Sequence, residues 1–185
     1  MIFDRQYRDI HRTRKIFKNL TLPTEGKIID VSCGGGRLLK TIENSNSKLE
    51  LFGIDITPGF LALNPKLSNI NFLTAEATQL PFPDNTFDVT ICSLSMHHYP
   101  NVANVLKEMC RVTKPNGSVY ITDIMPTNNK TQYLYNKVRC REPYHFEKFY
   151  TEDEIESLAK NVSLKLVSKH HVSLFLRLKT LQFRK

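Results

Sequence analysis

Ile28-Ile29-Asp30-Val31-Ser32-Cys33-Gly34-Gly35-Gly36-Arg37-Leu38-Leu39 reads as a short apolar strand, a glycine-rich turn and the opening of a helix. A strand with no apolar–polar alternation is the mark of a parallel sheet covered by helices on both faces. Glycines at the turn let the backbone bend tightly and let a ligand approach atoms that a Cβ would shield. The dinucleotide fingerprint requires glycines at its first, third and sixth positions. Counted from Ser32, those places hold Ser32, Gly34 and Arg37, so the fingerprint fails. What the loop does contain is an acid, Asp30, followed by Gly34 and Gly36.

Composition narrows the class. The chain has 185 residues, 41% of them hydrophobic and 24% charged, as expected of one globular domain spanning 1–185. No apolar run approaches the roughly 20 residues of a membrane helix, and the N-terminus interleaves charges instead of presenting a signal-peptide core. Cys33, Cys92, Cys110 and Cys140 show no paired spacing, which gives no zinc signature and points to a reducing, cytoplasmic setting. A net charge of +8 permits an acidic partner, but a basic solvated surface explains it as well.

Outward from the loop, residues 1–22 form an N-terminal helical segment. Phe3, Tyr7, Ile10 and Phe17 lie near helical spacing on one face of it, and arginines and lysines occupy the other. Pro23 and Gly26 end it. Downstream, a helix over about 37–44 precedes a strand, Leu49 to Asp55, that ends on an acid. Asn71–Thr74 is a third strand and Phe87–Ser93 a fourth. Val102, Val105, Leu106, Met109 and Val112 then mark one face of a helix capped by Asn101. Lys114-Pro115-Asn116-Gly117 reads as a turn into a fifth strand, Ser118–Asp123. Aromatic and basic residues crowd 124–150. Thr151-Glu152-Asp153-Glu154 has the form of a capping box, and 162–168 and 172–183 alternate as two closing strands.

Asp30-x-x-x-Gly34-x-Gly36 resembles motif I of the class I S-adenosylmethionine methyltransferases. The agreement continues in order through Asp55, Glu76-Ala77 with Leu80-Pro81-Phe82, and the block from Leu106 to Gly117. Within that family the chain is similar to the ubiquinone/menaquinone-biosynthesis subgroup. The resemblance implies a three-layer α-β-α, Rossmann-like fold, with a seven-stranded sheet whose last strand is antiparallel. It implies S-adenosylmethionine as cofactor and S-adenosylhomocysteine as product. Cofactor contacts would come from Asp30, Ser32, Cys33, Gly34 and Gly36, from Asp55 and Ile56, from Glu76 and Ala77, and from Ser93 and Leu94. Asp55 would accept from the ribose hydroxyls, at the ~20-residue separation such a carboxylate needs, and Glu76 would meet the adenine amino group. Ser32 stands where the family has a glycine. Val31-Ser32 reads as a continuing extended strand, so Ser32 is expected in the β region, its hydroxyl turned to the cofactor or to the following helix, with Gly34 and Gly36 absorbing the turn.

Ligands of open α/β sheets bind beyond the carboxyl ends of the strands, which draws attention to Ser93-Leu94-Ser95-Met96-His97-His98-Tyr99. A general base is needed where the acceptor is a hydroxyl or a carbon acid, and imidazole titrates near neutrality. His98 is the expected catalytic residue. His97, Tyr99, Tyr144 and His145 are expected in an acceptor pocket covered by a lid over 124–160. Three readings fit: a small-molecule methyltransferase, an RNA or protein methyltransferase, and a cofactor-binding protein without catalysis. The first is favoured. Ser95-Met96-His97-His98 stands where base amino-methyltransferases carry Asn/Asp-Pro-Pro-aromatic, which disfavours a nucleic-acid acceptor, and a decayed site has no reason to keep Gly34, Gly36 and Asp55 together.

Overall fold

A computed structural model describes residues 2–61, 69–139, 148–174 and 177–185. In chain order the elements are α1 (Ile2–Phe17), β1 (Gly26–Val31), α2 (Arg37–Glu43), β2 (Leu49–Asp55), α3 (Pro58–Leu61), β3 (Ile70–Thr74) and β4 (Phe87–Ser93). A single 3-10 turn (Met96–His98) follows, then α4 (Val102–Val112), β5 (Thr113–Ile124), α5 (Asn129–Arg139), α6 (Glu152–Asn161), β6 (Lys165–Ser173) and β7 (Leu178–Arg184). The strands form one sheet in the order β3-β2-β1-β4-β5-β7-β6. β1 to β5 are mutually parallel, and β7 runs antiparallel between β5 and β6. This is the seven-stranded arrangement expected.

β1 shows why the apolar run has no alternation. Ile29 and Val31 face one core with Val105 and Met109 of α4 and Ile155 of α6. Ile28 faces the other with Ile16 of α1 and Leu39 and Ile42 of α2. Both faces of the strand are dry, and every core-facing side chain of it is fully buried. Local signals set the helix starts. Asn101 Oδ1 accepts from Asn104 N at 3.1 Å. Thr151 and Glu154 close a reciprocal box, Thr151 N donating to Glu154 Oε2 at 2.8 Å and Glu154 N to Thr151 Oγ1 at 3.3 Å. Glu108 accepts from Leu80 N, and Arg111 donates to the carbonyls of Leu80 and Phe82. These two charged residues of α4 hold the 80–84 turn in place, a structural role.

Three boundaries differ from expectation. β5 begins pairing at Thr113, before the turn residues. Six positions on β5 (113 to 118) face three on β4 (87 to 89), so three residues loop out, with Asn116 at φ 63° making the turn. The closing strands lie later than the alternation suggested, because Ser163 at φ 66° follows the end of α6 and β6 is an edge strand, exposed over most of its length. In α1, Ile16 carries the packing while Ile10 is 47% exposed.

Gly53 of β2 sits where three side chains converge. A Cβ there would lie 2.8 Å from each of Cys33 Sγ, Leu39 Cδ1 and Phe72 Cδ1. Leu39 is fully buried and cannot swing aside without displacing its neighbours. Gly53→Ala is expected to cost about 1–3 kcal/mol by overpacking. Chemical denaturation checks this.

Candidate cofactor and acceptor site

β2 and β3 lie on one side of β1 in the sheet, and β4 and β5 on the other. The crevice between the carboxyl ends of β1 and β4 is therefore the switch point where such sheets bind ligands. Two loops meet there, 32–36 and 94–99.

The first loop turns through three left-handed residues, Ser32 (φ 60°), Gly34 (φ 52°) and Gly36 (φ 66°). The expectation that Ser32 continues the strand is overturned. The chain turns immediately after Val31, so that Cys33 N reaches Ile54 O at 2.9 Å and Gly36 N reaches Cys33 O at 2.9 Å. A left-handed serine costs about 1 kcal/mol. Its hydroxyl is bonded to Tyr99 Oη at 2.6 Å, and that bond holds it. Ser32→Gly removes both the strain and the bond, terms of similar size, whereas Ser32→Ala keeps the strain and loses the bond. The glycine variant is therefore expected to be about 1 kcal/mol more stable than the alanine variant, and to bind S-adenosylmethionine no more weakly than wild type does. Thermal unfolding and titration calorimetry of both variants measure this.

Two carboxylates stand at the strand ends. Asp55 accepts from Gly34 N through Oδ2 and from Thr57 N through Oδ1, both at 2.9 Å. It thereby fastens the end of β2 to the glycine loop. Asp30 is 3% exposed, and its carboxyl is pushed up to about 8, first by burial and then by the nearby charge of Asp55. Among the described residues, Asp30 Oδ1 and Ser93 Oγ are the buried side-chain polar atoms without a hydrogen-bond partner. Both residues line the same cavity of about 490 Å³, together with Ser32, Cys33, Arg37 and Leu94. Arg12, Thr13 and Ile16 of α1 and Phe60 of α3 complete its wall. Burial raises the Cys33 and Cys92 thiols above their ordinary range, so neither supplies a thiolate nucleophile.

The second loop is pinned at both ends. Leu94, left-handed at φ 59°, donates its N–H to Thr122 O at 2.7 Å. Ser95 Oγ donates to the carbonyls of Ser32 and Ser93. His97 Nδ1 lies 2.8 and 2.9 Å from the two oxygens of Asp123, at the end of β5. The His97 ring stacks on Phe149 at 4.7 Å and lies 4.0 Å from that of His98.

Of the residues expected at the cofactor, Asp30, Ser32, Cys33, Ser93 and Leu94 line the cavity, and Gly34 is bonded to Asp55 beside it. Ile56 follows, 62% exposed. Glu76 is exposed and Ala77 buried, in a segment tied back by Ala75 N to Asp55 O at 3.2 Å. Tyr99 points its hydroxyl at Ser32 and Cys92, behind the loop. Tyr144 and His145 lie outside the described residues. Sequence reasoning passed over Phe60 and Asp123, and met Arg12 only as one of the basic residues on the outer face of the N-terminal helix. An acid closing β5 beside the switch crevice was the available signal for Asp123.

With this geometry in view, a family described as a methyltransferase domain matches residues 29–121, half of the chain. The chain belongs to that family. It is 28% identical over 170 residues to the sterol 4-C-methyltransferase strm-1 of Caenorhabditis elegans, covering 85% of this chain and 50% of that protein. It is 34% identical over 124 residues to the demethylmenaquinone methyltransferase of Chlorobaculum tepidum, covering 66% and 51%. The chain spans about half the length of the curated relatives it matches. The crystal structure of YcgJ from Bacillus subtilis superposes with a TM-score of 0.78 at 19% identity, over 95% of this chain and 98% of that one, a likeness of fold.

S-adenosylmethionine is the cofactor that this membership implies, and the cavity suits it. A buried carboxylate lacking a partner accepts an ammonium group, an unpaired hydroxyl is available at Ser93, and the guanidinium groups of Arg12 and Arg37 suit a carboxylate.

Proposed function

We propose that this chain binds S-adenosylmethionine in the cavity at the β1–β4 crevice and directs its methyl group to a small-molecule acceptor. The observation that carries the reading is the buried, unpartnered Asp30 carboxyl, set beside Asp55 in a cavity that also holds arginines. Asp30 would hold the ammonium of the methionine part, and Arg12 and Arg37 its carboxylate. Asp55 would take the ribose hydroxyls, since a carboxylate oxygen that accepts one backbone N–H keeps a further lone pair. Ile56, Glu76 and Ala77 would bound the adenine.

A bound S-adenosylmethionine supplies an already activated sulfonium methyl, so the chain contributes alignment and exclusion of water. The pinning of the 94–99 loop to Ser32 on one side and to β5 on the other fixes the distance between the cofactor loop and the acceptor loop. Errors of about 1 Å in that distance are expensive. In this reading α1 roofs the cofactor, and residues 124–160 shape the acceptor pocket within a single domain. His97 and His98 stand at its methyl-transfer end. Relatives named for a sterol and for demethylmenaquinone favour a largely apolar acceptor. Among the described residues no helix is long and apolar enough to cross a membrane, and we place the protein in the cytoplasm.

Transfer of labelled methyl from S-adenosylmethionine to pools of small molecules, RNA and protein tests the proposal. Label in the small-molecule pool is the expected result. Label confined to RNA or protein would move the acceptor to another class, and none in any pool would favour a binding role.

A further inference from the structure

α5 has two unlike faces. On one, Gln132 Nε2 donates to Phe149 O at 3.0 Å, Asn136 Oδ1 accepts from Phe149 N at 2.9 Å, and the Tyr135 ring meets that of Phe149 edge-on at 5.8 Å. Phe149 in turn stacks on His97, so this inner face rests against the turn that follows β4. Lys130, Tyr133, Leu134 and Lys137 stand at i, i+3, i+4 and i+7 on the opposite face, and all four are exposed. Tyr133 is 66% and Leu134 58% exposed, and Lys137 Nζ lies 5.7 Å from the centroid of the Tyr133 ring. The stripe is apolar at its centre and basic at both ends.

A second apolar point stands nearby. β5 ends at Ile124, opposite the first residue of β7, Leu178, so the turn from β6 to β7 projects at the carboxyl end of β5, the end at which the crevice opens. Leu174 in that turn is 76% exposed. Met125 N donates to Arg177 O at 3.0 Å, and Arg177 Nη1 donates to Thr127 Oγ1, which ties the turn to the segment leading into α5. The sequence around both features carries no acid: neither Asp nor Glu occurs from Ile124 to Arg139 or from Val162 to Lys185. Lys169 and Lys179 pair with Glu152 and Glu156 of α6, whereas Lys130 and Lys137 have no carboxylate partner among the described residues.

We propose that this end of the molecule docks reversibly on a bilayer surface carrying anionic headgroups, with the outer face of α5 and the β6–β7 turn as the contact. A bilayer interface takes both halves of the pattern. Lysine heads meet anionic headgroups, a tyrosine sits with its ring in the interface and its hydroxyl in water, and leucines enter the acyl boundary. A nucleic acid would use the two lysines and gain nothing from Leu134 and Leu174. The proposal rests on the reading of a largely apolar acceptor above and deepens it. The acceptor becomes a molecule dissolved in the bilayer, met at the end of the sheet where the cofactor cavity lies and next to the helix whose inner face adjoins His97.

The test needs no acceptor. Cosedimentation of the full chain compares vesicles of phosphatidylcholine alone with vesicles of equal parts phosphatidylcholine and phosphatidylglycerol. Binding to the mixed vesicles is expected, weakening as salt is added. The Lys130→Glu, Lys137→Glu double variant is expected to bind the mixed vesicles about tenfold more weakly or less, since one basic residue near such a surface contributes about fivefold. Leu134→Asp with Leu174→Asp is expected to lose about tenfold or more as well. All four positions are exposed, so both variants are expected to fold, which thermal unfolding checks. No binding to the mixed vesicles, equal binding to both vesicle types, or affinity within threefold of wild type in either double variant overturns the proposal. So does binding of a single-stranded RNA oligonucleotide that the lysine variant loses and the leucine variant keeps, without binding to vesicles. Calorimetry with S-adenosylhomocysteine separates the two readings: its failure in wild type would remove the methyl-transfer reading and leave the vesicle result standing.

Discussion

Asp55→Ala is expected to weaken S-adenosylmethionine binding by about 10²- to 10⁴-fold. Two ribose hydroxyls on a charged acceptor contribute about 1.5–3 kcal/mol each, and every 1.4 kcal/mol is a factor of ten. The side chain also holds Gly34 N and Thr57 N, so its removal loosens the loop that must be in place before the cofactor arrives. Folding survives at reduced stability, because those two N–H groups lose a buried partner at about 1–3 kcal/mol each. At about 2–4 °C per kcal/mol, the melting temperature falls by several degrees. Asp55→Asn is no gentle control: its NH₂ must face a backbone N–H, whichever way the amide is turned. Calorimetric titration with thermal unfolding reads both effects, and unchanged affinity would place the ribose contact elsewhere.

Asp30→Asn should act in two directions at once. The Asp30 carboxyl titrates near 8 in the fold, against an ordinary value of 3.8. Below about pH 4 it is protonated in both folded and unfolded chains. Between about 4 and 8 only the folded chain holds the proton, so stability falls as pH rises through that window, at about 1.4 kcal/mol per pH unit. Above about 8 the loss is complete. The asparagine variant lacks this slope and is expected to exceed wild type by a few kcal/mol at pH 8, with the two converging toward pH 4. Denaturant unfolding at pH 5 and pH 8 measures the difference. Cofactor affinity should move the other way. An ammonium placed against Asp30 favours its ionised form, so binding below pH 8 releases a proton from wild type. The binding enthalpy then depends on the buffer's heat of ionisation. In Asp30→Asn that dependence should vanish and affinity should fall tenfold or more. Proton release identical in both proteins would assign Asp30 no contact with the cofactor.

The parts legible in the sequence were those whose causes are local. The apolar run at Ile28–Val31 implied helices on both faces, the Thr151–Glu154 box and the Asn101 cap announced helix starts, and Asp55 showed itself as an acid ending a strand. Ser32 was misread because its torsion is set by a partner at a distance: Cys33 N must reach Ile54 O, and the turn has to begin one residue before the glycines. The His97–Asp123 pair was invisible for a similar reason. Twenty-six residues separate the two, and only the adjacency of β4 and β5 brings them together. Arg12 and Ile16 reach the cavity through the docking of α1, and an amphipathic pattern does not state against which end of a sheet a helix will lie. β6, at the exposed edge, had little burial to sharpen its alternation.

The most direct measurement of the central claim is calorimetric titration of the wild-type chain with S-adenosylhomocysteine and, separately, with NAD. Asp30, Gly34, Gly36 and Asp55 stand at one crevice, and the glycine spacing of a dinucleotide site is absent. Saturable binding of one equivalent of S-adenosylhomocysteine and no heat from NAD is the predicted result. Heat from NAD with none from S-adenosylhomocysteine would contradict it.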